Sequence, residues 1–309
     1  MAEHPCTEQP ADRPAPPPDG LVIVDKPAGF TSHDVVAKMR GIARTRRVGH
    51  AGTLDPMATG VLVLGLGKAT RLLGHLALTE KEYVATIRLG QSTVTDDAEG
   101  EITASTPADA ITREALDAAV AQQTGPIQQV PSQVSAVKVN GKRSYARVRQ
   151  GEEVELAARP VTVSSFDVHD VREETAGDGT PVRDVLVSLV CSSGTYVRAI
   201  ARDIGAGLAV GGHLTALRRT RVGPYAVAAA RTLEHHQEAL TVLPIGEAAA
   251  QAFPRWNVGE RQAKLLSNGV QLDMPALPPG PVAVFGPGGR FLALVEERKG
   301  KARSLAVFA

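Results

Sequence analysis

Between Val48 and Gly60 the chain reads Val-Gly-His-Ala-Gly-Thr-Leu-Asp-Pro-Met-Ala-Thr-Gly, its densest run of groups able to do chemistry. Glycines at 49, 52 and 60 and the proline at 56 shape a loop that displays His50 and Asp55 just ahead of an apolar run, Gly60 to Leu66. A chain concentrates backbone constraint in a loop mainly to present side chains. An imidazole and a carboxylate so presented can move protons, and the carboxylate can attack carbon. A plain structural turn with a capping aspartate would use the same residue types.

Several chemistries are excluded by spacing. Gly65-Leu66-Gly67-Lys68 looks superficially like a phosphate-binding loop, but the first Walker glycine falls on Leu62 and Ala69 replaces the hydroxyl residue after the lysine. As a dinucleotide loop it lacks the third glycine, at Thr70. The 2 cysteines, Cys6 and Cys191, are far apart, so there is neither a disulfide framework nor the Cys-x-x-Cys of a zinc base deaminase. The 8 histidines are scattered without ligand spacing, so no metal and no cofactor is expected.

The elements that must position these groups follow from periodicity. Leu21 to Val24 reads as a buried strand, and Thr31 or Ser32 caps a helix carrying Val35, Val36, Met39 and Ile42 on one stripe. Gly60 to Leu66 is a strand, and Lys68 to Ala77 reads as a helix. In Glu82 to Leu89, Tyr83, Ala85, Ile87 and Leu89 alternate onto one apolar face. Thr112 to Gln123 is an amphipathic helix closed by Gly125. Val185 to Val190 is a strand, followed by a helix with Val197, Ala201, Ile204 and Leu208 on one stripe. Val171 to Pro181, rich in charge and glycine, reads as a surface loop. Strands outnumber helices and several pairs are hairpin-like, which predicts an α+β class with a mixed, mainly antiparallel sheet.

Residues 1–20 hold six prolines and almost no large apolar side chain, the composition of a disordered tail. Residues 21–250 form the main domain, and from about Gln251 a short helix and two or three strands make a small β-rich domain over 251–309. Net charge is only +1, yet charge is segregated. Three acid-free basic clusters stand out: Lys38 to Arg47, Lys138 to Arg149, and Arg218, Arg219 and Arg221. Such clusters can hold a phosphate backbone at near-neutral total charge, although any one of them could be a solvated face. With no apolar h-region and no run near the ~18 apolar residues of a membrane span, the chain reads as soluble and cytoplasmic, without a membrane partner.

The motifs, taken together, resemble those of the TruB family, the tRNA pseudouridine-55 synthases. The 48–60 loop is similar to that family's catalytic motif. Val24-Asp25-Lys26-Pro27-Ala28-Gly29-Phe30-Thr31-Ser32 resembles its first motif. Lys81-Glu82-Tyr83, then Gln91 and Asp97-Ala98-Glu99-Gly100, resemble its tyrosine and acidic-loop segment. Ser135-Ala136-Val137-Lys138 with Gly141-Lys142 resembles its lysine-bearing stretch, though Val134 stands where many members have an aromatic residue. Ser193-Gly194-Thr195-Tyr196-Val197-Arg198 resembles the arginine motif, and His213-Leu214 through Leu217-Arg218-Arg219 the one that follows. These blocks run in family order over roughly 21–225, and the C-terminal piece is more loosely similar to a PUA-like RNA-binding domain.

The resemblance implies the pseudouridine synthase fold, a tRNA T-arm substrate and isomerisation of one uridine: the N1 glycosidic bond breaks, the base turns, and the ribose is rejoined through C5. It assigns catalysis to Asp55 as nucleophile, Tyr83 and Arg198, and substrate contacts to His50, Asp97, Tyr196, Leu217, Lys26 and Lys138. His50 would fill the space vacated by a flipped base, and Tyr83 would stack on it. Arg198 would pair with Asp55. Independently, Arg198 falls in the first turn of its helix, where the macrodipole disfavours a cation and a nearby anion would offset that. The expected molecule is a monomer with no obligatory protein partner. Its rivals are a non-catalytic tRNA-binding or folding protein, which would not need Asp55, Tyr83 and Arg198 together, and a guide-dependent ribosomal RNA synthase, which a chain this short disfavours.

Overall fold

A computed structural model describes residues 17–132, 138–139, 142–143 and 156–308. In chain order the strands are β1 (Gly20–Lys26), β2 (Val48–Ala51), β3 (Thr59–Leu66), β4 (Lys81–Leu89), β5 (Gln91–Thr93), β6 (Ile102–Ser105), β7 (Gly125–Gln129), β8 (Lys138–Val139), β9 (Lys142–Arg143), β10 (Arg159–Thr175), β11 (Pro181–Cys191), β12 (Gly212–Val222), β13 (Tyr225–Ala226), β14 (Leu243–Pro244), β15 (Arg255–Asn257), β16 (Val282–Phe285), β17 (Phe291–Arg298) and β18 (Lys301–Val307). The α-helices are α1 (Ser32–Ile42), α2 (Leu73–Leu76), α3 (Arg113–Gln122), α4 (Val197–Gly207), α5 (Leu233–Glu238), α6 (Ile245–Ala252) and α7 (Glu260–Ser267).

The central sheet runs β14-β1-β3-β12-β4-β11-β10-β7, with β2 alongside β3 and β13 alongside β12. Among the described residues the β3–β12 pairing is the sheet's only parallel strand pair, so the sheet is mixed and mainly antiparallel, as the α+β reading expects. β4 alternates buried and half-buried along its whole length. Its apolar face joins Val185, Val187 and Leu189 of β11 and the Val197, Ile200 and Ile204 stripe of α4 in one core. β1 and β3 are covered on both faces. Val22, Val24, Leu62 and Leu64 meet Val35, Val36 and Met39 of α1, while Leu21, Ile23, Val61 and Val63 join a core that includes Phe285, Phe291 and Phe308.

Those phenylalanines belong to a second sheet, β15-β16-β17-β18, and to the residue that follows it. This sheet is therefore packed on the first through shared apolar cover. Hydrogen bonds from Lys68 Nζ to the Phe308 carbonyl (3.3 Å) and from Arg71 to the Val307 carbonyl (2.6 Å) fix the contact. Among the described residues no helix is long and apolar enough to cross a membrane.

Four expectations are corrected. Val171 to Pro181 is not a loop but the end of a long hairpin, closed by a short turn in which the Ala176 N–H donates to the Thr180 carbonyl at 2.9 Å. Its charges hid the strand period, because Arg172 faces Asp184 and Glu173 faces Arg183 in register, an opposite-charge pairing that suits an exposed ribbon. Lys68 to Ala77 is not one helix. It is a tight 3₁₀ segment over Gly67–Leu72 followed by the single turn α2. The Asp19 carboxylate accepts from the Lys68 N–H at 2.6 Å and Thr70 Oγ1 donates to the Gly67 carbonyl at 2.8 Å, local bonds that compete with α-helical ones. Residues 17–20, read as part of the tail, supply that Asp19 cap and open β1 at Gly20. Finally, Arg218, Arg219 and Arg221 are not a phosphate patch. Arg218 pairs with Asp25 at 2.7 Å, Arg221 with Glu82 at 3.0 Å, and Arg219 is fully buried.

Candidate active site

The site is built where β3, β12 and β4 lie side by side. Arg219 is opposite Gly60 on one neighbour and Tyr83 on the other, so a single register line crosses the three strands. Gly60 has φ +98°, and a Cβ there would fall 2.2 Å from the Arg219 carbonyl, so only glycine permits this approach.

The loop carrying Asp55 is pinned on both sides. Ser32, the first residue of α1, donates its hydroxyl to the Leu54 carbonyl (3.1 Å) and accepts from the Leu54 N–H (2.9 Å). The helix is itself fixed by a capping box between Thr31 and Asp34. Lys26 Nζ donates to the carbonyls of Pro27 (2.9 Å), Phe30 (2.6 Å) and Pro56 (3.1 Å). Arg219 donates to the carbonyls of Gly52 (3.1 Å), Thr53 (3.2 Å) and Val61 (2.8 Å). Asp55 thus sits on a backbone that has little freedom to move.

Its carboxylate meets Arg198 two-pronged, Nε to Oδ2 at 3.0 Å and Nη2 to Oδ1 at 3.3 Å. The Arg198 side chain is 6% exposed against 35% for Asp55, so the cation lies beneath and the carboxylate faces outward. Arg198 Nη1 also donates to the Thr95 carbonyl at 2.8 Å and stands 3.4 Å from Asp97 Oδ2. Asp97 in turn accepts from Thr95 Oγ1 and the Glu99 N–H. This network answers the first-turn position of Arg198, since two anions offset a cation at a helix N-terminus.

Asp55 and Arg198 line a pocket of about 260 Å³ with Tyr83, Tyr196, Leu217, Lys81 and Arg219. Its size suits one nucleoside rather than an extended ligand. Burial pushes the Tyr83 phenol pKa up, and Arg219 beside it opposes the rise. The cation nearest in effect is thus Arg219. Burial, reinforced by Arg219, lowers the Lys81 ammonium to about 8.

Of the residues singled out in the sequence, the structure brings Asp55, Tyr83, Arg198, Tyr196 and Leu217 to the pocket and sets Asp97 behind Arg198. His50 stands apart from its wall, half-buried and edge-on to His33 at 5.6 Å; burial and His33 lower its pKa, which favours a neutral ring. Lys26 is not on the wall either. It has no exposed surface and donates hydrogen bonds to three carbonyls, so it holds the loop rather than a substrate. The Lys138 side chain, with Val134 to Val137 and Gly141, lies outside the described residues. Sequence reasoning missed Lys81 and Arg219 as pocket residues. Lys81 begins the strand that carries Tyr83, and Arg219 was grouped with surface charges because strand alternation at a bulge is invisible in a basic run.

The Lys26 clamp has a measurable consequence. Lys26→Met leaves buried carbonyls without their donor and is expected to lower unfolding free energy by about 2–4 kcal/mol. A urea midpoint unchanged from wild type would show that the clamp contributes nothing.

Comparison with known proteins bears on this site. Residues 40–197 match the N-terminal domain model of the TruB family pseudouridylate synthases. Residues 253–309 match a C-terminal model described as tRNA pseudouridine synthase II, and 198–248 a tRNA pseudouridylate synthase B C-terminal model. A protein of Streptomyces griseus subsp. griseus named tRNA pseudouridine synthase B is 78% identical over 94% of this chain and 98% of its own length. One of the same name from Streptomyces avermitilis is 73% identical over 94% of this chain and 97% of its own. Among solved structures, a chain of a Cbf5-Nop10-Gar1 complex matches with TM-score 0.69 and 26% identity, covering 94% of this chain and 84% of that one.

Proposed function

This chain belongs to the TruB family of pseudouridylate synthases, and from that premise we propose that it converts the uridine at position 55, in the T arm of tRNA, to pseudouridine, with Asp55 as nucleophile. The observation that carries the reading is the outward-facing Asp55 carboxylate held two-pronged by buried Arg198, in a nucleoside-sized pocket that Tyr83 also lines.

The target base is extruded from its stack, at a cost of a few kcal/mol, and enters the pocket against the Tyr83 ring. Arg198 keeps Asp55 ionised and aimed. The carboxylate attacks the nucleoside, the N1–C1′ bond breaks with its electron pair going to the base, the base turns within the pocket, C5 bonds to C1′ as the Asp55 carboxylate is released, and the C5 proton is lost while N1 gains one. Leu217 supplies an apolar wall and Tyr196 the rim. His50 remains the candidate to occupy the vacated place in the RNA stack. Lys38, Arg40, Arg44, Arg46 and Arg47 are all exposed at the far end of α1 and beyond, and among the described residues none forms an ion pair. With residues 251–309, taken as a PUA-like unit, they are the surfaces assigned to the RNA backbone. The protein acts as a cytoplasmic monomer without an obligatory partner.

A pure RNA-binding protein has no use for a buried arginine aiming a carboxylate into a pocket, which favours the enzyme over that rival. Incubating unmodified tRNA with the protein and mapping pseudouridine chemically tests the site: modification at position 55 alone is expected, and modification elsewhere, or none, refutes it. Arg198→Lys is expected to slow bound turnover by about 10²-fold, because an ammonium cannot make the two-pronged contact and Asp55 is left free to swing. A single-turnover rate equal to wild type would mean that Arg198 does not aim Asp55.

A further inference from the structure

Two buried cations in the pocket are not used by the Asp55–Arg198 pair. Arg219 has no exposed surface and Lys81 is 6% exposed, and both line the pocket beside Tyr83. Among the described residues neither forms an ion pair. They are close neighbours: a Cβ placed on Gly52 would touch Lys81 Cε at 3.4 Å and Arg219 Nη1 at 3.7 Å.

Backbone carbonyls hold them both. Lys81 Nζ donates to Ala77 (2.8 Å) and Thr79 (2.6 Å), and Arg219 to Gly52, Thr53 and Val61. An ammonium and a guanidinium carry more N–H donors than these acceptors use. Two like charges buried together without a counter-ion are costly, and the depressed Lys81 pKa reflects that cost. Such a pair is compensated when an anion arrives between them. Asp55 is already committed to Arg198, so the anion has to come with the substrate.

The reaction generates one. When N1–C1′ breaks, its electron pair stays with the base, and the charge spreads over N1, O2 and O4 of the ring. It is quenched when C5 bonds to C1′; the C5 proton is then lost and N1 takes one up, so the sum is an isomerisation. We propose that Lys81 and Arg219 form an anion subsite that stabilises the negatively charged uracil ring between glycosidic cleavage and carbon–carbon rejoining, acting as catalytic residues. This is preorganised electrostatic stabilisation: the donors are held in place by backbone carbonyls before the charge appears. The proposal rests on the uridine-isomerase reading above.

The test separates a role on the anion from a structural one by changing the leaving group. Two T-arm hairpins are compared under single-turnover conditions, one with uridine and one with 5-fluorouridine at the target. Fluorine withdraws electrons and steadies the anionic ring without help, and it blocks the final proton loss, so consumption of the starting N1-linked nucleoside is measured for both. Lys81→Met is expected to slow uridine consumption by about 10²-fold and 5-fluorouridine consumption by less than about tenfold. Lys81→Arg, which keeps the charge, should remain within about tenfold of wild type on both. Lys81→Gln keeps a donor for the Ala77 and Thr79 carbonyls while losing the charge, and serves if the methionine variant does not fold; the same discrimination is expected of it. Equal slowing of both substrates, rates unchanged from wild type, or a loss confined to RNA affinity would overturn the proposal. Wild-type protein that consumes neither hairpin would sink the functional reading beneath it instead.

Discussion

Asp55→Asn is expected to lose isomerisation by at least about 10⁴-fold in single-turnover rate, the scale of deleting a covalent nucleophile, while tRNA affinity and folding stay close to wild type. The amide keeps the outline of the side chain but carries no charge and is a poor nucleophile. Folding survives because Arg198 retains the Thr95 carbonyl at 2.8 Å and Asp97 at 3.4 Å, so the buried guanidinium is not stranded. The variant's mass has to be verified, since reversion by deamidation would restore a trace of carboxylate. Appreciable turnover by authentic asparagine protein would remove Asp55 from the role given to it.

Tyr83→Phe is the second large effect. If the ring only stacks on the base, deleting one oxygen costs little. If the hydroxyl accepts a ribose proton, the bound reaction slows by roughly 10²–10⁴-fold, the range for general acid–base groups. The second outcome is the one expected, because cleavage followed by rebonding to carbon has a direct route through proton loss at the sugar. The geometry adds a condition. Burial raises the phenol pKa, so Tyr83 rests protonated; to accept the ribose proton it must first give up its own phenolic proton to solvent, and the phenolate so formed needs a cation beside it. Arg219, opposite it in the strand register, is that cation, and Arg198 is engaged with Asp55. A Tyr83→Phe protein reacting within about threefold of wild type would leave Tyr83 as a stacking surface only, below the range of acid–base catalysis.

The parts of this architecture that were legible in the sequence are those where one local signal decides the outcome. The hydroxyl pair Thr31-Ser32 marks the start of α1, and the structure settles the cap on Thr31, boxed with Asp34. The alternation of Tyr83, Ala85, Ile87 and Leu89 gives both the strand and the face that becomes the pocket wall. The stripe of Val197, Ala201 and Ile204 gives α4 and puts Arg198 at its start. What was hidden depends on partners distant in sequence. The β10–β11 ribbon is stabilised by opposite charges that meet only across the hairpin, so each strand alone looks like a polar loop. Lys26 looks like a substrate contact until the carbonyls of Phe30 and Pro56 close around it. Arg219 differs from Arg218 and Arg221 by burial alone, and burial of one residue in a basic run is set by the sheet, not by the run.

The same dependence governs the C-terminal sheet. Phe285, Phe291 and Phe308 share a core with Leu21, Val61 and Tyr225, so removing residues 251–309 would uncover apolar surface on the rest of the chain as well as delete the surface proposed to hold RNA. Charge-reversing substitutions on its exposed face separate the two effects better than truncation does.

The most direct measurement uses a tRNA transcript tritiated at C5 of every uridine. Isomerisation replaces the C5–H bond by a bond to C1′, so each event releases tritium to water. Wild-type protein in excess is expected to release one tritium per tRNA and then stop, and Asp55→Asn protein to release none. Release from the asparagine variant at the wild-type rate, or none from the wild type, would contradict the account.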